Sequence, residues 1–169
     1  MVELDGAWNR AARVNARADL RDIRLFNVEA NLNVVPSSPI ELTYSFNGTI
    51  QVQSVEETSA LIVDGNYLLR VIALDEAAAT DGSDEPPGEE ILHLSFKLAA
   101  HFSLEEPDTE PKQFSDDELD SFGETTGRLA LHPYAREFVA DITGRMGLPS
   151  LHIATLKIPI DKQNADADH

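Results

Sequence analysis

Apolar residues recur at every second position from Leu92 to Leu104: Leu92, Leu94, Phe96, Leu98, Ala100, Phe102 and Leu104. His93, Ser95, Lys97, His101 and Ser103 fall between them. A period of two is that of a β-strand, whose side chains alternate between faces, so this run is a strand with one face in a core. A core-facing strand of this length needs partner strands and a layer to cover it, which restricts the chain to sheet-containing folds.

Earlier runs supply the partners. Phe26, Val28, Ala30, Leu32 and Val34 share one parity against Asn27, Glu29, Asn31 and Asn33. Ile23 and Leu25 carry the opposite parity, which predicts a bulge or strand entry near Leu25–Phe26. Ile40, Leu42, Tyr44, Phe46, Ile50 and Val52 form the next run, and its period passes unbroken through Asn47-Gly48. A two-residue hairpin there would set Phe46 opposite Thr49 and Tyr44 opposite Gln51, mixing apolar and polar on each face. One long strand is therefore expected, with Gly48 at a bulge or a close backbone approach. The third strand spans roughly 59–74, through Asp64-Gly65; Ile62, Leu68 and Ile72 make its second face partly apolar. Pro36–Pro39 and Val55–Thr58 read as turns, and the acid-rich stretches 75–90 and 105–112 as solvated connections.

The period changes at both ends. Residues 7–18 are rich in Ala and Arg, good helix formers, with Asp5 as a plausible N-cap; a helical arm over 1–20 is expected. Ser115-Asp-Asp-Glu118 is a capping box that starts a short helix. Thr125 or Thr126 is expected to cap the next helical stretch, and Pro133 to kink or restart it. Tyr134, Phe138, Ile142 and Met146 recur on one face of that helix, and Gly147 and Pro149 stop it. Leu148–Ile160 is apolar but extended in character, and 161–169 is a polar tail. The fold class is α+β: a four-stranded antiparallel sheet, an N-terminal helical arm and a long, Pro-kinked C-terminal helix packed on the sheet, with one domain over 21–160.

The residues offer little chemistry. The net charge of −17 opposes binding to nucleic acid or an anionic membrane surface. With no Cys there is no thiolate ligand or thiol nucleophile. His93 and His101 lie eight positions apart on one strand, roughly 26 Å, too far to share a metal. No phosphate loop, dinucleotide fingerprint, G-x-S-x-G or H-E-x-x-H occurs. Asp116, Asp117, Glu118 and Asp120 are accounted for by a helix N-terminus. A non-enzyme without catalytic residues, metal or cofactor is expected. No apolar run approaches the ~18 residues of a membrane span and no signal-like start appears, so a cytoplasmic location is expected.

Phe122 to Leu151 resembles the SecB family of export and holdase chaperones. The resemblance rests on Pro133-Tyr-Ala-Arg-Glu137, the apolar helix after it, Arg145, a Gly, and Leu148-Pro149 with its extended run. Arg21-Asp-Ile-Arg-Leu25 before the first strand is also similar. The N-terminal arm and Thr125-Thr-Gly-Arg128 resemble the SecB-like members that accompany toxin–antitoxin systems. Ile160 is followed by a run too short and polar for the final amphipathic helix of general export members, which tilts the same way.

The resemblance implies a SecB-like fold and a tetramer, a dimer of dimers. It implies ATP-independent binding of unfolded chains through apolar grooves. Clients would be export precursors, delivered to the SecA motor, or a dedicated antitoxin. The alternative is a β-rich interaction module without chaperone activity. For client contact the resemblance and the segments flanking the helix point to Phe114, Leu119, Phe122, Leu148, Leu151, Ile153 and Leu156, with Val34 and Val35 as weaker members.

Overall fold

The computed structural model describes residues 4–35, 41–55, 59–74, 88–105 and 113–156. The turns at 36–39 and 56–58, most of both acidic connections, the end of the extended run and the tail lie outside the described residues. The elements are α1 (Leu4–Asn15), β1 (Ala18–Leu32), β2 (Leu42–Val55), β3 (Ala60–Leu74), β4 (Gly88–Leu104), α2 (Asp116–Phe122) and α3 (Arg128–Arg145). The four strands form one antiparallel sheet in the order β1-β4-β3-β2.

The strand periods hold. On β4, Leu92, Leu94, Phe96, Leu98, Ala100 and Phe102 are all buried under the helices. β2 and β3 pair without interruption through both glycine dipeptides, with Gly48 opposite Tyr67. A Cβ on Gly48 would come within 2.7 Å of the Tyr67 ring, so this position requires glycine for close approach. That ring stacks between Phe46 and Phe96, at 5.6 and 5.0 Å between centroids. Burial pushes the Tyr67 phenol up to about 12, against a smaller opposing effect of Arg128. Glu89 and Glu90, read as loop acids, lie inside β4, where Glu90 pairs with Arg70.

β1 departs from a single parity more than expected. Its register with β4 skips at Arg21 and again at Phe26. Leu20 consequently pairs with Phe102, Ile23 with Ala100, Leu25 with Leu98, Val28 with Phe96 and Ala30 with Leu94. Odd and even residues thus reach the same helix-side face, because each bulge resets the alternation. Phe26, assigned by parity to the core face, is the bulged residue and is 66% exposed; the Lys97 ammonium lies 6.0 Å from its ring centre. The strand also starts earlier than the helical arm reading allowed, at Ala18.

The helical layer is one continuous rod with a defect. Ser115 caps α2 with both halves of the box formed, its Oγ accepting from the Glu118 N–H while the Glu118 carboxylate accepts from the Ser115 N–H at 2.8 Å. Instead of a new cap at Thr125 or Thr126, a π-helical turn over Gly123–Gly127 joins α2 to α3. Thr125 donates to the Ser121 carbonyl at 2.7 Å, and Thr126 to Asn15 Oδ1 at 2.5 Å, so both hydroxyls are engaged elsewhere. Gly127 has helical angles, but a Cβ there would meet Val63 Cγ1 at 2.6 Å; glycine lets the rod touch the sheet. α3 runs through Pro133, with no restart.

The buried stripe of α3 is Leu131, Ala135, Val139 and Thr143, not the Tyr134–Phe138–Ile142–Met146 stripe expected. Tyr134 is 48% exposed, and Phe138, Ile142 and Met146 are half-buried beside the core. The two stripes are neighbours on the helix, so periodicity alone did not separate them. α1 lies against α2 and the π turn, with Ala7, Ala11 and Val14 fully buried. It starts at Leu4, which puts Asp5 inside the helix rather than at a cap.

Candidate functional site: an open apolar groove beside the edge strand

The helical rod covers β2, β3 and β4 but leaves part of the helix-side face of β1 open, although Ala18, Ile23, Ala30 and Leu32 there pack against the core. Leu20 and Leu25 are each 46% exposed there and Val28 39%. Between this strip and α3 lies a groove of about 330 Å³ lined by Ile23, Leu25, Leu98, Tyr134, Glu137, Phe138 and Asp141. Leu98 forms its buried floor, and the Phe138 ring, 4.7 Å from that of Phe96, anchors the α3 wall to the core. Carboxylates of Glu137 and Asp141 stand at the rim, and Asp141 accepts from Arg145 Nε at 2.7 Å. An apolar floor with a charged rim is a surface for an apolar segment of another chain.

The motif at 133–137 builds this wall residue by residue. Pro133 is exposed, Ala135 packs with no exposed surface, and Tyr134 and Glu137 line the groove. Arg136 points the other way and donates from Nε to the Ile153 carbonyl at 2.8 Å. That bond belongs to a series fastening the extended segment after α3 along the helix. The Leu148 N–H donates to the Thr143 carbonyl at 3.1 Å, the Leu151 N–H to Thr143 Oγ1 at 3.0 Å, and Ser150 Oγ to the Ala140 carbonyl at 3.0 Å. His132 Nε2 lies 2.9 Å from the Ala154 carbonyl, which can only accept, so Nε2 carries the proton.

This fastening decides where the residues expected at the client surface stand. Phe122 has no exposed surface and packs edge-on to Phe102 at 5.1 Å between centroids. Ile153 and Leu148 are 2% and 8% exposed. All three are core: Leu148 and Ile153 because the extended segment is tied down onto α3, and Phe122 because the end of α2 packs on β4. Leu119, Leu151 and Leu156 are half-buried, as is Val34, while Val35 is 69% exposed. Phe114 is half-buried under two guanidiniums, Arg13 at 5.0 Å and Arg17 at 4.6 Å from its ring centre. Ile23, Leu25, Tyr134 and Phe138 were not among the expected site residues. The parity break at Leu25–Phe26 was the available signal, since a bulged edge strand turns apolar residues to both faces.

An antiparallel sheet half-covered by helices, with an open apolar groove at its edge, belongs to the class of α+β folds that present an apolar surface to another chain. The comparisons give that class its family. No protein-family model matches the chain. The SecB-like chaperone Rv1957 of Mycobacterium tuberculosis H37Rv is 36% identical over 155 residues, covering 88% of this chain and 83% of the relative. The SecB-like chaperone MT2006 of the CDC 1551 strain matches to the same extent. Among solved structures, Rv1957 in complex with a ChAD peptide from the Rv1956 HigA1 antitoxin superposes with a TM-score of 0.73 at 30% identity, covering 89% of this chain and 99% of that one. The chain belongs to the SecB-like chaperones, and its fold is theirs.

Proposed function

We propose that this chaperone is an ATP-independent holdase that keeps an unfolded segment, in the first instance an antitoxin, in the groove between β1 and α3. The observation that carries the reading is the groove with Ile23 and Leu25 of β1 on one wall and Tyr134 and Phe138 of α3 on the other, and Leu20 and Val28 exposed along the same strand. A patch of large apolar side chains in a chain of charge −17 is not explained by folding alone. The antitoxin peptide held by the Mycobacterium tuberculosis relative supports that client class. Export precursors with SecA as recipient are the second client class. Val35, which is exposed, and the half-buried Leu151 and Leu156 extend the apolar surface beyond the groove.

The exposed edge of β1 also supports assembly into a tetramer in the cytoplasm. Its bulged residue Phe26, on the face opposite the groove, leaves apolar surface that association would cover. No described helix is long and apolar enough to cross a membrane. The test is suppression of aggregation of a chemically unfolded protein by stoichiometric chaperone, without and with ATP. Equal suppression in both conditions is expected; no suppression, or suppression only with ATP, would reject the reading. Light scattering showing only an 18.6 kDa species at micromolar concentration would reject the tetramer.

A further inference from the structure

In a chain with 30 acids and 13 bases, α1 and the turn after it concentrate cations: Arg10, Arg13 and Arg17 follow one another at successive turns. All three reach across to α2 and to the residues that flank it. Arg10 Nε donates to Ser121 Oγ at 3.0 Å. Arg13 donates to both Glu118 oxygens and, from Nη2, to the Gln113 carbonyl at 2.8 Å. Arg17 Nε donates to the Glu105 carbonyl at 2.9 Å. The apolar share of the contact is small, because the buried stripe of α1 is Ala7, Ala11 and Val14.

What α1 lies on is more apolar than α1 itself. Ala11 and Val14 belong to one buried cluster with Phe102 and Phe122, and Phe114 and Leu119 are packed at its margin. The spacing of Ala7, Ala11 and Val14 is i, i+4, i+7, that of a helix read in a groove. The acceptors are equally general. Two are main-chain carbonyls, and the Glu118 carboxylate and Ser121 hydroxyl ask only for a guanidinium. Ala16 and Arg17 are the two residues between α1 and β1, a short hinge.

We infer that the face of α2 and the π turn beneath α1 is a second binding surface, that it takes an arginine-bearing amphipathic segment of a partner chain, and that α1 occupies it as an internal stand-in until such a segment displaces it. The inference rests on the holdase reading for the kind of partner, and adds a surface apart from the groove of β1 and α3. Charge selects the occupant. Asp116, Asp117 and Asp120 are exposed on the same short helix, so a basic segment is drawn in and an acidic one repelled. Because α1 is tethered, it competes at high effective concentration, and the surface opens to segments that match its arginines.

The test uses the full chain and a labelled peptide copying Leu4–Arg17, with a second peptide in which Arg10, Arg13 and Arg17 are replaced by Gln. Three proteins are compared: the wild type, Arg13→Gln, and Asn15→Cys with Thr126→Cys. Asn15 Oδ1 and Thr126 Oγ1 are 2.5 Å apart, and the chain has no Cys of its own, so oxidation of this pair pins the arm. Arg13→Gln weakens the arm and frees Glu118, so it is expected to bind the arginine peptide about tenfold or more tightly than the wild type. Binding should speed hydrogen exchange of the α1 amides and leave those of β3 and β4 unchanged. The Gln peptide should bind about tenfold or more weakly, and the oxidised double-Cys protein should bind neither peptide until it is reduced. If Arg13→Gln fails to fold, the oxidised and reduced forms carry the test alone, since they share one sequence. No binding by the reduced form, equal binding by oxidised and reduced forms, equal binding of the two peptides, or binding with α1 exchange unaltered would overturn the inference. So would dimers of Arg13→Gln formed by exchange of α1 between copies, which would assign the surface to a second copy. Each of these can occur with aggregation suppression intact, so the arm surface can fail while the holdase reading stands.

Discussion

Glu118 joins the two ends of the chain: its carboxylate accepts from Arg13 Nε at 2.8 Å while it closes the capping box with Ser115. The Arg13 guanidinium, with the Ser115 N–H behind it, holds this carboxyl at about 2, well below the ordinary 4.5. α1 and α2 are therefore locked by a group that must be ionised. The Phe114 ring under Arg13 and Arg17 continues the same contact.

A depressed folded-state pKa contributes stability that is present above the unfolded value and lost as pH falls through the folded one. The lock is thus at full strength above about pH 4.5 and weakens between there and about pH 2. Glu118→Gln, which can still close the capping box, should destabilise the chain by about 1 kcal/mol near pH 7 through the lost ion pair with Arg13. Urea unfolding of both proteins across this range should show the gap narrowing as pH falls. A gap that stays constant with pH would contradict the role given to Glu118.

The buried stripe of α3 makes a second prediction. Leu131→Ala should cost about 2–5 kcal/mol, since Leu131 has no exposed surface. Phe138→Ala should cost less than the ~3–5 kcal/mol of a fully buried phenylalanine, because Phe138 is only partly buried and lines the groove. Urea midpoints measure both; a larger loss at Phe138 than at Leu131 would reverse the assignment of the two stripes.

Gly127 gives a third. In an exposed helix Gly→Ala stabilises by about 1 kcal/mol. Here the added methyl would press on Val63, itself fully buried, so Gly127→Ala should destabilise by about 1–3 kcal/mol. A raised melting temperature would show that the rod does not need this close approach.

The strands were legible because each buried face imposes a period of two, and Leu92–Phe102 shows it without exception. The continuity of β2 through Asn47-Gly48 was readable for the same reason, since a turn there would have mixed the faces. β1 was half legible: the bulge near Phe26 appears as a parity break, but the one at Arg21 lies among polar residues and leaves no mark in the pattern. The join of α2 to α3 was hidden because a π turn has no capping residue of its own, and Thr125 and Thr126 resemble caps while bonding to Ser121 and Asn15. Three of the residues expected at the client surface stand in the core for a physical reason. Ile153 sits in a segment without strand parity, and only its bonds with Arg136, Thr143 and Ala140 show that this segment is fastened into the core, while Phe122 closes α2 edge-on to Phe102.

The extended segment itself yields a fourth prediction. Leu151 and Leu156 are half-buried and flank the buried Ile153. Changing both to Ser should weaken client binding modestly and leave the melting temperature nearly unchanged. Unfolding or dissociation with unaltered binding per folded molecule would mark them as core or subunit interface.

The groove is the centre of the account, and Leu25 and Tyr134 test it most directly, because both are nearly half exposed and face one another across it. The measurement is calorimetric binding of an unfolded client to the wild-type chaperone and to the Leu25→Ser, Tyr134→Ser double variant, with circular dichroism melting as the control for folding. The account predicts an unchanged melt, a wild-type negative heat-capacity change from apolar burial, and an affinity about tenfold or more weaker in the variant. Unchanged affinity in a folded variant would contradict it and move the client surface away from β1 and α3.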